Sequence, residues 1–186
     1  FKTRLTTLSA DTVARTYTLA DSTRVVLAPG ASISWRGSYN RQVSMTGRAY
    51  FEIRHDDRHP FTVVGTHFLV SDLGTRFEIV DGAGQTRVLV TEGSVRFADA
   101  QSRQSVELRQ GMEAVLKHNE ACPRLLATPN TNHAVWATHR FHFDRTPLRR
   151  VLADLEAYYG VRLCTTAPDR LLTGDFTADS LQTLIK

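Results

Sequence analysis

The chain reads as mainly β with a small α/β tail: a twisted β-solenoid or sandwich-like all-β domain over residues 1–118, a linker at 119–140, and a truncated βαββ(α) domain over 141–186. Three observations carry that reading. Apolar and polar residues alternate with period 2 from Tyr17 to Lys117 in short runs rich in β-branched and aromatic side chains. Turn chemistry interrupts those runs every ~8–12 residues, the spacing of an all-β fold. After Phe143 the apolar period changes to that of a helix.

Taken in order, the alternating runs are Arg24–Leu27, Ser32–Trp35, Gln42–Met45, Ala49–Ile53, Phe61–Val64, Phe68–Ser71, Arg76–Ile79, Arg87–Val90, Ser94–Phe97, Val106–Leu108 and Met112–Leu116. Between them stand Ala28-Pro29-Gly30, Gly37-Ser38-Tyr39-Asn40, Asp56-Asp57-Arg58-His59-Pro60 and Asp81-Gly82-Ala83-Gly84, where Gly, Pro and Asp supply turn conformations. No helical pattern intervenes between strands, which excludes the βαβ crossovers of a nucleotide-binding parallel sheet. From His118 to Arg140 the alternation stops, and Cys122-Pro123 and Thr128-Pro129-Asn130 read as surface linker.

The tail begins with a strand at Phe141-His142-Phe143. Thr146 then reads as an N-cap and Pro147 as the first helical residue, with Leu148, Val151, Leu152 and Leu155 at helical spacing and Gly160 as the stop. Val161–Cys164 reads as a second strand and Leu171–Phe176 as a third. Asp179 or Ser180 would cap another helix from Leu181, so the domain is expected to lack its closing strands. The opening Phe1-Lys2-Thr3-Arg4 carries neither an initiator Met nor a signal-peptide pattern, and the chain is read as a fragment.

Composition narrows the function classes. The formal net charge is +4, but the Arg residues are dispersed through apolar runs and form no basic stripe for nucleic acid. No stretch approaches the ~20 apolar residues that span a bilayer. Cys122 and Cys164 lie outside any CxxC or zinc spacing and are either free thiols or one long-range disulfide. A cupin-like metal enzyme or sugar-binding protein is the competing class. Its ligands would come from His55, His59 and His67, yet no HxH pair followed by a Glu exists, and His139 and His142 fall on opposite strand faces. No GxSxG is present, Ser94 reads as a solvent-face residue, and Asp56 and Asp57 sit side by side in a turn. Gly82-Ala83-Gly84 opens no helix and so makes no phosphate cradle. No catalytic, cofactor or metal residue is assigned.

The ordered motifs carry more. Leu19-Ala20-Asp21-Ser22-Thr23-Arg24-Val25-Val26-Leu27 followed by Ala31–Trp35 resembles the opening of the FecR domain, with Ser22 where Gly is usual. Gly47-Arg48-Ala49-Tyr50-Phe51-Glu52-Ile53 leading to Pro60-Phe61 is similar to the next family stretch, with Arg48 where Glu is common. Leu73-Gly74-Thr75-Arg76-Phe77, Val90-Thr91-Glu92-Gly93-Ser94 and Leu108–Met112, which includes Gly111, follow in the family's order. In the tail, Val135-Trp136, Phe143–Leu148, Tyr158-Tyr159-Gly160-Val161 and Thr173-Gly174-Asp175-Phe176 resemble an incomplete secretin/TonB short N-terminal-like domain.

That resemblance implies a transmembrane anti-sigma regulator, of which this chain is the periplasmic part of a single-pass inner-membrane protein. The implied partners are the N-terminal signalling domain of an outer-membrane TonB-dependent transporter and, through a cytoplasmic segment, an extracytoplasmic-function sigma factor. The residues themselves read differently. Gly47, Tyr50, Phe51, Pro60, Phe61, Gly74, Thr75, Phe77, Gly93 and Gly111 are expected to build the fold. Partner contact is expected on the Leu171–Phe176 strand by strand addition, through Leu171, Thr173, Asp175 and Phe176, with Tyr158 beside them.

Overall fold

In the computed structural model, which describes residues 4–72 and 74–184, the chain divides into two compact units, Phe1–Pro129 and Asn130–Lys186. Unit one contains strands β1 (Leu5–Ser9), β2 (Arg15–Thr18), β3 (Arg24–Leu27), β4 (Ser32–Arg36), β5 (Gln42–Glu52), β6 (Phe61–Val64), β7 (Phe68–Asp72), β8 (Arg76–Gly82), β9 (Gln85–Glu92), β10 (Ser94–Asp99), β11 (Ser105–Arg109), β12 (Glu113–Lys117) and β13 (Arg124–Leu125).

They form two layers. One runs β1-β4-β5-β6-β7-β10-β11, the other β2-β3-β5-β8-β9-β12-β13, and the long strand β5 belongs to both. Apart from the parallel β5–β6 pair, the described pairings in unit one are antiparallel. Hairpins laid face to face, rather than stacked parallel coils, make the sandwich-like form of the all-β reading the one observed.

Layer switching inside β5 explains one of its glycines. Gln42–Ser44 pair with β6 in the first layer, whereas Gly47–Glu52 pair with β8 in the second. Gly47 stands at the change with φ +83°, and a Cβ there would lie 2.9 Å from the Ala31 Cα. The turn from β9 to β10 makes the same crossing at Gly93, φ +80°, where a Cβ would sit 2.2 Å from the Thr75 methyl. Both positions demand a left-handed backbone and no side chain.

Alternation sends the apolar residues between the layers. Val43, Phe61, Val70 and Phe97 from the first meet Val25, Phe51, Phe77, Ile79 and Val90 from the second, all essentially buried. Phe51 joins the two, stacked on Phe77 at 5.2 Å and tilted against Phe61 at 5.9 Å.

Unit two holds a 3-10 turn (Thr131–Ala134), α1 (Val135–Thr138), β14 (Arg140–Pro147), α2 (Leu148–Tyr159), β15 (Leu171–Thr177) and α3 (Leu181–Leu184). Its core is Val135, Phe141, Phe143, Val151 and Leu155. β14 and β15 pair antiparallel with a register shift between Phe143 and Thr146.

Three expectations about the tail need correction. Val161–Cys164 forms no strand, because the Leu163 amide donates to the Glu156 carboxylate of α2 at 2.6 Å instead of to a neighbouring strand. The tail is therefore βαβ(α) among the described residues. Thr146 stays in β14 opposite Leu172, Pro147 precedes the helix, and the first helical amides, Leu148 and Arg149, donate to the carbonyls of Arg170 and Pro168. The segment 119–140 is not plain linker either: Arg124–Leu125 adds a strand to β12, and Thr131–Thr138 is helical. Gly160 ends α2 at φ +68° as read from the sequence. Cys122 and Cys164 are free thiols. Leu73, part of the Gly74-Thr75 motif, lies outside the described residues.

Candidate partner-binding edge

The two edges of the β14–β15 ribbon are unlike. On the β14 side, Asn132 from the 3-10 turn acts as a one-residue strand: its Oδ1 accepts from the His142 amide at 2.8 Å and its Nδ2 donates to the His142 carbonyl at 3.0 Å. Asp154 of α2 fixes that amide, accepting from Asn132 Nδ2 at 2.8 Å and from Asn130 Nδ2 at 2.7 Å. Among the described residues, no strand pairs with the other edge of β15.

His142 also settles which groups that edge presents. Its backbone points away from β15, so its partner in register, Asp175, points its own N–H and C=O away from β14. By alternation Thr173 and Thr177 do the same, while Ala178 donates inward to the His139 carbonyl at 2.9 Å.

The predicted contact residues separate into two groups. Leu171, Thr173 and Asp175 lie exposed on the outward face, Leu171 at 49%. There His142 Nδ1 meets Asp175 Oδ1 at 2.7 Å, and the Arg145 amide donates to Thr173 Oγ1 at 2.9 Å across the register shift. Phe176 and Tyr158 face the other way. Phe176 packs on Phe143 at 6.1 Å, Tyr158 stands edge-on to Phe141 at 5.5 Å, and the Tyr158 hydroxyl meets His139 Nδ1 at 3.1 Å. Both are partly buried members of the unit-two core.

Residues expected to build the fold sit in unit one. Tyr50, Phe51, Phe61 and Phe77 are buried, Pro60 is an exposed residue leading into β6, and Gly111 lies at the β11–β12 turn with φ +81°. Asp72 closes the turn before β8, accepting from the amides of Gly74 and Thr75 at 3.0 and 3.1 Å. A Cβ on Gly74 would come within 2.7 Å of the His55 Cα.

Sequence reasoning missed two groups. Asn132 was folded into the linker, and nothing in its neighbourhood signals strand mimicry. The second is Arg41, 8% exposed, which pairs with Asp21 at 2.8 Å, donates to the Arg54 carbonyl at 2.8 Å and lies over the Phe61 ring at 5.9 Å. Asp21 also accepts from the Thr23 amide and hydroxyl, both at 3.0 Å. Burial, then the Asp21 charge, pushes the nearby Tyr39 phenol well above its ordinary range. Asp21 lies in the opening motif, and its need for a cationic partner was the available signal.

Histidines 55 and 59 stand in an exposed turn against Asp57 and Asp56, each at 3.1 Å, whereas His67 stacks on His118. Among the described residues no group of three or more His, Cys, Asp or Glu has metal-binding geometry, and no helix is long and apolar enough to cross a membrane.

Residues 6–96 match the family model described as FecR protein. No curated protein matches the chain. Two solved structures, each titled a "putative anti-sigma factor" from Parabacteroides distasonis, are similar. The one at 1.65 Å resolution is 22% identical with a TM-score of 0.65 and covers 96% of this chain and 88% of that chain. The one at 2.50 Å is 23% identical with a TM-score of 0.66, covering 97% and 88%. At that identity the likeness is one of fold.

Proposed function

Since residues 6–96 match the family model described as FecR protein, we propose that the chain is the periplasmic sensor region of an anti-sigma factor anchored by a single inner-membrane helix. It relays the state of an outer-membrane TonB-dependent transporter to an extracytoplasmic-function sigma factor by protein contact, and has no catalytic site of its own. Unit two, read as a secretin/TonB short N-terminal-like domain, receives the transporter's N-terminal signalling domain. The sigma factor is held by a cytoplasmic segment that this sequence does not include.

One observation carries the contact: β15 offers the outward amides and carbonyls of Thr173, Asp175 and Thr177 along an edge where no described strand pairs, while Asn132 closes the opposite edge. An open strand edge binds another strand through its backbone, with exposed side chains setting the choice of partner. Leu171, Thr173 and Asp175 are those side chains; Phe176 and Tyr158 hold the strand in place from behind.

Calorimetric titration of the chain with the purified signalling domain of a TonB-dependent transporter from the same cell tests this. Saturable binding is expected, lost in Asp175→Pro, which removes one outward amide, and kept in Asp175→Asn. Phe176→Ala is expected to lower the thermal stability of unit two as well as the affinity. Absence of binding by the unaltered chain, or full affinity in Asp175→Pro, refutes the reading.

A further inference from the structure

At one end of unit one, two imidazoles from different layers lie face to face. His67 precedes β7 in the first layer and His118 follows β12 in the second; their ring centroids are 4.1 Å apart and their planes 19° from parallel. Each is tied to its own layer through the backbone, the His67 carbonyl accepting from the Ala100 amide and the His118 amide donating to the Gly84 carbonyl, both at 2.9 Å. A second cross-layer link lies nearby, Ser102 Oγ donating to the Ala121 carbonyl at 2.5 Å.

His118 also has an acid in its own layer. Asp81, on β8, lies 3.7 Å from His118 Nε2. In the first layer Asp99, closing β10, is committed to the backbone, accepting from the amides of Ser102 and Gln101 at 2.6 and 3.2 Å. Thr86 Oγ1 donates to Asp81 Oδ1 at 2.8 Å, so at 3.2 Å it accepts a hydrogen bond from the His118 Nε2–H. In the neutral ring Nδ1 is then the free base, and a second proton goes there. Lys117 and Glu120, on the same turn as His118, pair with each other at 3.8 Å.

We infer that the His67–His118 stack is an acid-responsive latch between the two layers. When both rings are neutral they stack across the gap. When both carry a proton, two like charges face each other at van der Waals distance. Protonation thus turns an attractive contact between layers into a repulsive one, while the His118–Asp81 pair lies wholly inside the second layer. The stretch loosened is the start of the turn from β12 to β13, up to the Ser102–Ala121 link, together with the β6–β7 turn. The latch stands on unit-one geometry and does not depend on the reading of β15.

Hydrogen exchange read by mass spectrometry at about pH 7.5 and about pH 5, corrected for intrinsic rates, tests it. Peptides spanning 64–70 and 116–124 are expected to exchange about tenfold faster at the lower pH, with β5 and β8 unchanged. His118→Gln keeps a donor for Thr86 but takes no charge, and its exchange should be pH-independent; His67→Asn, carrying its substitution in the other layer, should behave alike. An unaltered chain with no acid response overturns the inference. So does an acid response that persists in either folded variant.

Discussion

Ser22 is the exposed residue of a tight turn in which its amide donates to the Leu19 carbonyl at 3.0 Å, and it holds φ at +66°. A left-handed backbone costs a residue with a Cβ roughly 1–2 kcal/mol, whereas glycine adopts it freely. Ser22→Gly recovers that cost, offset by about 0.5–1 kcal/mol for the wider freedom of glycine in the unfolded chain. The net gain is about 0.5–1 kcal/mol, which raises the thermal midpoint of a domain this size by ~2–5 °C. Paired thermal and urea melts of the wild type, Ser22→Gly and Ser22→Ala isolate the backbone term. Ser22→Ala keeps the Cβ and should stay within ~0.5 kcal/mol of wild type. If Ser22→Gly melts no higher than wild type, or if Ser22→Ala gains equally, backbone strain is not what this position stores.

Gly47→Ala adds a left-handed penalty to a 2.9 Å approach on backbone, which cannot swing away. A loss of about 2–4 kcal/mol in urea unfolding is expected, and a loss under 1 kcal/mol would contradict the layer-switch account. Tyr50 is 2% exposed with its hydroxyl 2.7 Å from Thr91 Oγ1, and burial holds its phenol above the ordinary value. The folded chain therefore keeps a proton that the unfolded chain releases. That stability is complete below the unfolded pKa of ~10 and is lost as pH rises above it. Tyr50→Phe should flatten the fall in the urea midpoint between about pH 9 and pH 11; an unchanged fall would assign the alkaline limb elsewhere.

The strands of unit one were legible because each buries one face. Ser94–Phe97 alternates in burial as its letters do, and the turn residues end the runs where the backbone bends. The pairing order was not legible, since nothing local tells β5 to serve two layers or to lie parallel to β6. In the tail, Val161–Cys164 has strand-like letters, but a glutamate one turn from the helix end captures its amide. At β15 the same alternation that marks the strand separates Leu171, Thr173 and Asp175 from Phe176, a distinction that grouping them by sequence proximity obscured. Register against His142, which decides where Asp175 points its backbone, depends on a residue far away in sequence.

The β5 crossing at Gly47 and the β9–β10 crossing at Gly93 have a consequence for how unit one comes apart. Neither half of its sequence owns a complete layer: strands before residue 57 serve both layers, and so do strands after it. A protease that cuts the exposed Asp57–Arg58 bond would leave two fragments braided through one core. The nicked protein should migrate as one species until denaturant separates the pieces, so that cleavage and release become two distinct events.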